Sequence, residues 1–273
     1  GMTRTLAAVA LVVQCAAVQA GTEVRLWHSL DPALGEQLGR LAGEYNGTQK
    51  EFRVRLDPLS AAGERSLVRL GLPLNTARPV LYYDRDAFQR ANLKPPKTWY
   101  EMAGVLGALS ESGRACGYTT SWPAWVMMEN TGGAFSRQLM VRWTSMLATW
   151  EKSGFFSYSG RSNEAEARFA AGECAVLTSS SASGQELVRK AKFNIGMAPL
   201  PAYEDSGAVS PTLPAIAPAV WVERQSVGVT SFFAFLAARA AEARRQREVM
   251  EVELEEVWRG KKTALDALNA VSK

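Results

Sequence analysis

The chain of 273 residues is long enough for one large domain or two small ones, and its 47% hydrophobic and 21% charged residues are a globular mixture. That mixture excludes a disordered chain, a collagen-like chain and a disulfide-dense miniprotein. A net charge of +4 is too small to mark a nucleic-acid binder, and one histidine with three cysteines leaves no basis for a His-rich metal site or a His-dependent triad.

In chain order, a basic start at Arg4, a short apolar run over 6–17 and the Val18-Gln-Ala20 tripeptide read as a secretory signal peptide cleaved after Ala20. Cys15 offers a second reading as a lipidated residue, although Gln14 stands where a small residue is expected. The two remaining cysteines, Cys116 and Cys174, each open a strand-like run. In an exported chain an even pair favours a disulfide across neighbouring strands over two buried thiols. No other apolar run has the roughly 20 residues of a membrane span.

A strand is predicted over 24–27, then a helix over 33–45 started by Asp31-Pro32 and ended by Asn46-Gly47. Residues 52–56 alternate apolar and basic side chains, as a half-exposed strand does. A short helix is expected over 64–70, a strand over 79–83 and a helical turn over 84–91. Lys94-Pro-Pro-Lys97 is a stiff connector. Thr98 caps a helix with Trp99, Met102, Leu106 and Leu109 on one stripe. Strands follow over 116–121, 174–178, 194–197 and 215–222. Helices are expected over 124–130, 138–152, 162–171, 185–192, 231–241 and 263–271, with a highly charged stretch over 242–258. This alternation predicts an α/β fold with mostly parallel strands.

The common phosphate-loop, dinucleotide, hydrolase and metalloprotease signatures are absent from the sequence. His28 follows a strand without a recognisable partner and reads as structural, and Glu164 and Glu166 read as a solvated helix start. No catalytic residue, metal ligand or cofactor site is assigned. Two features suggest binding. Ser121-Trp-Pro-Ala-Trp125 places two tryptophans at a strand end, where indole faces can stack on a sugar or polyol; the same pattern fits two core tryptophans. Residues 178–183, Thr-Ser-Ser-Ser-Ala-Ser, put hydroxyls and N–H groups at a strand-to-helix turn, suited to an anion or simply to capping.

At these motifs the chain resembles the extracellular solute-binding proteins of ABC importers. The matching stretches are Leu26-Trp-His-Ser-Leu30, 79–88, Pro95-Pro-Lys-Thr-Trp99, Cys116-Gly-Tyr118, 121–125, 156–161, 172–176, 192–197 and 253–262, in the family's order. The resemblance implies a two-lobed periplasmic-binding-protein-like fold, here α/β with a reduced N-terminal lobe. It implies a periplasmic, non-enzymatic protein that closes on glycerol 3-phosphate or a related polyol or sugar phosphate and delivers it to an inner-membrane ABC permease. The expected division is a signal peptide over 1–20, the reduced N-lobe over 21–92 with part of 199–236, a C-lobe over 93–198 and C-terminal helices over 237–273. Carried over, Trp122 and Trp125 form the stacking pair, Ser179, Ser180 and Ser181 the C-lobe contact, and Thr76 a position in the turn before the 79–83 strand. Arg239 and Arg247 are the two candidates for a phosphate-pairing arginine, with Arg247 preferred. The chain departs from the family's pattern at 60–78, after Phe135 and after Phe235, where blocks are missing, and at Pro214–Pro218, which lacks the family's glycines. Loss of N-lobe contacts keeps open an alternative, a protein-interaction or sensor module without small-molecule transport.

Overall fold

In the computed structural model, which describes residues 21–74, 77–130, 137–203 and 218–271, the described strands form two four-stranded sheets. In chain order the strands are β1 (Thr22–His28), β2 (Phe52–Pro58), β3 (Val68–Gly71), β4 (Pro79–Asp84), β5 (Cys116–Thr120), β6 (Cys174–Ser180), β7 (Ile195–Pro199) and β8 (Ala219–Val222). The helices are α1 (Pro32–Thr48), α2 (Arg85–Arg90), α3 (Trp99–Glu111), α4 (Pro123–Asn130), α5 (Arg137–Ser153), α6 (Glu164–Ala170), α7 (Gly184–Lys190), α8 (Val227–Trp258) and α9 (Ala264–Val271). The signal-peptide reading of 1–20 lies outside the described residues.

The first sheet runs β2-β1-β8-β3 and the second β5-β6-β4-β7. The predicted mostly parallel arrangement does not hold. Only β1–β2 and β5–β6 are parallel, whereas β8 is antiparallel to β1 and β3, and β4 is antiparallel to β6 and β7. β4 follows β3 without an intervening helix and joins the other sheet, so no βαβ crossover fixes its direction. This pairing also moves the lobe boundary. Residues 79–84 were expected in the N-lobe, but they sit at the centre of the second sheet, and the change of sheet falls between Gly71 and Pro79. The helix expected over 64–70 is instead an irregular segment running into β3, because Gly63 turns the chain at φ +65° and the edge of β8 captures Val68–Gly71. Long-range pairing there overrides local propensity.

Local chemistry sets the helix starts. Asp31, Asp84, Thr98 and Ser226 accept from the N–H groups of Leu34, Ala87, Glu101 and Val229, and Glu101 returns a bond from the Lys97 N–H at 2.7 Å. β6 is buried along its whole length, as a central strand must be. Cys116 and Cys174 are register partners on β5 and β6 and form a disulfide with Cα atoms 4.4 Å apart.

The final charged stretch is not separate from the helix before it. α8 is one helix through both, sustained by the strong helix formers Ala, Arg, Glu and Gln in its middle. Its first half buries Val229, Phe232 and Leu236 against the first sheet, and its last turns bury Met250, Leu254, Val257 and Trp258 in the core of the second lobe. The residues expected as independent C-terminal helices over 237–273 therefore join the second lobe, with α9 packed on α5 and α8. A Cβ at Gly228 would press on Val24 and Phe52, where α8 meets the first sheet. Gly228→Ala is therefore expected to lower stability by about 1–3 kcal/mol in urea unfolding, the usual range for overpacking. Among the described residues no helix is long and apolar enough to cross a membrane.

Candidate functional site

Parallel pairing of β5 with β6 brings their carboxyl ends side by side, with Thr120 opposite Thr178, which is where ligands gather in open α/β sheets. The chain leaving β5 is held at this edge by the Ser121 N–H on the Thr178 carbonyl and the Trp122 N–H on the Ser162 carbonyl, both at 2.9 Å. Trp122 adopts φ +41°, a left-handed conformation that costs a bulky residue about 1–3 kcal/mol and marks a position fixed by its surroundings. The indoles of Trp122 and Trp125 lie edge to face, with centroids 6.3 Å apart.

A cavity of about 660 Å³ opens at this edge, walled by Trp122 and Trp125, by Arg161, Ser180 and Ala77, and by the α8 stripe that includes Arg244, Arg247 and Glu251. Of the sequence-predicted residues, Trp122, Trp125, Ser180 and Arg247 are brought together here. The two tryptophans differ in setting: Trp122 is half-buried, and Trp125 belongs to the core. Ser179 is completely buried and donates its hydroxyl to Glu166 Oε1 at 2.6 Å. Ser181 accepts from the Arg78 N–H at 3.1 Å and donates its own N–H to the Arg78 carbonyl at 2.8 Å. Neither serine lines the cavity: Ser179, next to Ser180 on the strand, points to the opposite face, and Ser181 begins a 3-10 turn tied to Arg78. Arg239 pairs with Glu44 on α1, outside the cavity. Thr76 lies outside the described residues.

Glu164 is exposed, as expected, and accepts from the Ser162 N–H at 2.7 Å. Glu166 departs from the solvated reading. It receives the hydroxyls of Ser179 and Ser183, each at 2.6 Å, and so ties α6 to the serine turn. His28 accepts weakly from the Leu30 N–H at 3.4 Å and does not line the cavity; burial holds its imidazole below the usual value.

The cavity wall carries three arginines, Arg161, Arg244 and Arg247, and two glutamates, Glu248 and Glu251. Among the described residues Arg244 and Arg247 make no salt bridge, while Arg161 pairs with the buried Glu255, which Arg259 also engages. Glu251 is 8% exposed, and its Oε1 accepts from the Ala124 N–H at 2.8 Å at the start of α4. The helix stripe was missed from sequence because the reading broke the helix at 241. Residues 244, 247, 248, 251, 252 and 255 follow the i, i+3, i+4, i+7 spacing of one helix face.

Residues 31–243 match a family model described as bacterial extracellular solute-binding protein. The chain is 34% identical over 197 residues to the sn-glycerol-3-phosphate-binding periplasmic protein UgpB of Escherichia coli (strain K12), which is 62% of this chain and 45% of that protein. It is 35% identical over 160 residues to the protein of the same name from Yersinia enterocolitica, which is 50% of this chain and 36% of that one. The match thus spans less than half the length of these relatives. In structure the chain is similar to the GacH receptor of Streptomyces glaucescens, solved unliganded and with acarbose, at a TM-score of 0.55 and 14% identity, covering 92% of this chain and 96% of that one. It is also similar to UgpB from Mycobacterium tuberculosis, solved with glycerophosphocholine, at a TM-score of 0.50 and 14% identity, covering 92% and 97%. Likeness at this level establishes the two-lobed periplasmic-binding-protein fold.

Proposed function

We propose that this chain, which belongs to the family of bacterial extracellular solute-binding proteins, binds glycerol 3-phosphate or a closely related phosphorylated polyol in the cavity at the β5–β6 edge. The observation that carries this reading is a pair of arginines, Arg244 and Arg247, that line the same cavity as Trp122 and Ser180 and make no salt bridge among the described residues. Arginine suits a phosphoryl group through its planar fork of donors. The Trp122 face suits the apolar C–H side of a short polyol, and Ser180 suits a hydroxyl. The sequence relationship to periplasmic glycerol-3-phosphate-binding proteins supports the same ligand class.

The mechanism follows from the connections. α8 and the segments between β3 and β4 and between β7 and β8 join the two lobes, so closure would bring the first lobe over a ligand held by the second lobe and α8, and the ligand favours the closed state by the contacts it gains there. The closed form would then hand the ligand to an inner-membrane ABC permease, in the periplasm, after export of the mature chain. The reading requires no covalent step. It is tested by titration calorimetry of two variants with glycerol 3-phosphate. Arg247→Ala is expected to weaken binding by about tenfold or more, the loss of one charge-assisted contact, whereas Arg239→Ala leaves affinity unchanged. Equal effects of both substitutions would overturn this assignment of the phosphate contact.

One observation favours a second reading. Among the described residues no strand of the first sheet lines the cavity, so the first lobe would serve as an interaction or sensor surface if it does not close. Binding without any compaction in small-angle scattering would support that alternative.

A further inference from the structure

Alternation along the first sheet sorts its side chains onto two faces. Val24, Leu26, Val54, Val220 and Val222 join the core on which α1 and α8 pack. Their chain neighbours point the other way. Register places Arg25 beside Arg55, Glu23 beside Arg53, and Trp27 and Arg69 on either side of Trp221. Arg65 reaches the same face from the connector before β3: its guanidinium lies over the Trp27 ring at 5.6 Å and pairs with Glu223. Arg25 also lies over Trp27, at 5.1 Å, and Arg69 over Trp221, at 6.0 Å. Asp57 engages both Arg25 and Arg55, and Arg53 makes no salt bridge among the described residues. The face thus sets five arginines against three carboxylates, Glu23, Asp57 and Glu223, and Arg53, Arg55, Arg65 and Arg69 are exposed.

Stability does not account for this surface. Exposed ion pairs contribute little, and an arginine laid on an indole gives up side-chain freedom that a solvated one keeps. What the stacking achieves is presentation. A guanidinium held over a ring keeps the donors along its edge for a planar carboxylate, with part of the ordering cost already met. A cavity of about 500 Å³ at the Thr22 end of the face, lined by Arg25, Trp27, Glu223 and Arg224, has room for a partner's side chain. We propose that the arginine face of the first lobe docks an acidic segment of a partner protein, whose carboxylates pair with Arg53, Arg55 and Arg69. Charge complementarity sets the chemistry. The interspersed carboxylates single out a polypeptide: they repel a uniformly anionic lipid surface, whereas a protein can set a hydroxyl or a cation opposite each. The inference gives a partner chemistry to the interaction reading of the first lobe. It does not depend on the ligand of the cavity walled by the second lobe and α8.

The test titrates the full protein into a fluorescently labelled peptide of alternating glutamate and valine, about ten residues long, and reads anisotropy. A peptide with glutamine in place of every glutamate runs beside it. Saturable binding of the acidic peptide is expected, about tenfold or more tighter than that of the glutamine peptide. Joint Arg53→Ala and Arg69→Ala substitution weakens it by about tenfold, the loss of two exposed charge contacts. Arg189→Ala, an exposed arginine of α7 on the second lobe, changes it by less than about twofold. Raising the salt from about 50 mM to about 500 mM weakens it by about tenfold. No binding of the acidic peptide, full binding by the double variant, or an equal loss in Arg189→Ala overturns the proposal. Binding to vesicles of equal parts phosphatidylglycerol and phosphatidylcholine, with none to the peptide, also overturns it and assigns the face to an anionic membrane. Calorimetry of the double variant with glycerol 3-phosphate keeps the two proposals apart, since its ligand affinity is expected to match the wild type whether or not the peptide binds.

Discussion

Trp122→Ala is expected to weaken glycerol 3-phosphate binding by about 30-fold, the effect of removing one aromatic anchor worth about 2 kcal/mol, while shifting the melting temperature by only a few degrees. Trp122 is half-buried, its main-chain φ is +41° with its N–H bonded to the Ser162 carbonyl, and its indole lines the cavity at the margin of the main hydrophobic cluster. Its neighbour behaves differently. Trp125 is 7% exposed and part of the main hydrophobic cluster, so Trp125→Ala is expected to cost about 3–5 kcal/mol of stability. Under the proposed function, the two readings that the sequence leaves open for this pair divide between them, with Trp122 as the ligand platform and Trp125 in the core. Thermal melts of both variants beside calorimetry separate them; a Trp122→Ala variant that binds normally would refute the platform role.

The second large effect concerns the disulfide. Cys116 and Cys174 close a loop with a sequence separation of 58, for which chain-entropy arguments give about 4 kcal/mol. The Cys116→Ser, Cys174→Ser double variant is therefore expected to melt about 10 °C lower, on the scaling for chains of this size. Ligand affinity should change less than about threefold. The bridge ties the amino ends of β5 and β6, about 15 Å along the strands from the carboxyl ends that carry the site. A large loss of affinity with an unchanged melting temperature would contradict this division between staple and site.

Much of this arrangement is legible in the residues. The alternation over 52–56, the Asp31-Pro32 helix start and the Thr98 cap are local signals, and each is realised in the fold. The Ser121–Trp125 turn and Ser180 carry their functional reading in their residue types and meet because two strands are parallel. What local pattern cannot show is pairing between distant segments. β4 lies in the second sheet because Val80 to Tyr83 finds partners on both β6 and β7, and nothing within 79–84 encodes which lobe will supply them. The serine turn illustrates a finer limit. Three adjacent serines look equivalent as residues, but alternation turns Ser179 toward Glu166 and leaves Ser180 at the cavity.

α8 hides its function for a different reason. A helix packed on one surface shows a continuous apolar stripe. This helix changes partners midway, from the first sheet to the second lobe, and its exposed middle carries the charges over 242–248. Its apolar period is therefore interrupted where the cavity residues begin, and Arg244, Arg247 and Glu251 read as surface charge until the helix is seen whole.

In the proposed function the second lobe and α8 form a site for a phosphorylated polyol. The most direct measurement is titration calorimetry of the protein with glycerol 3-phosphate at neutral pH, paired with thermal melts. Saturable binding of one ligand per chain is expected, with a rise in melting temperature reflecting about 2.7 kcal/mol of stabilisation at a hundredfold excess over Kd. No heat and no thermal shift at millimolar ligand would contradict it.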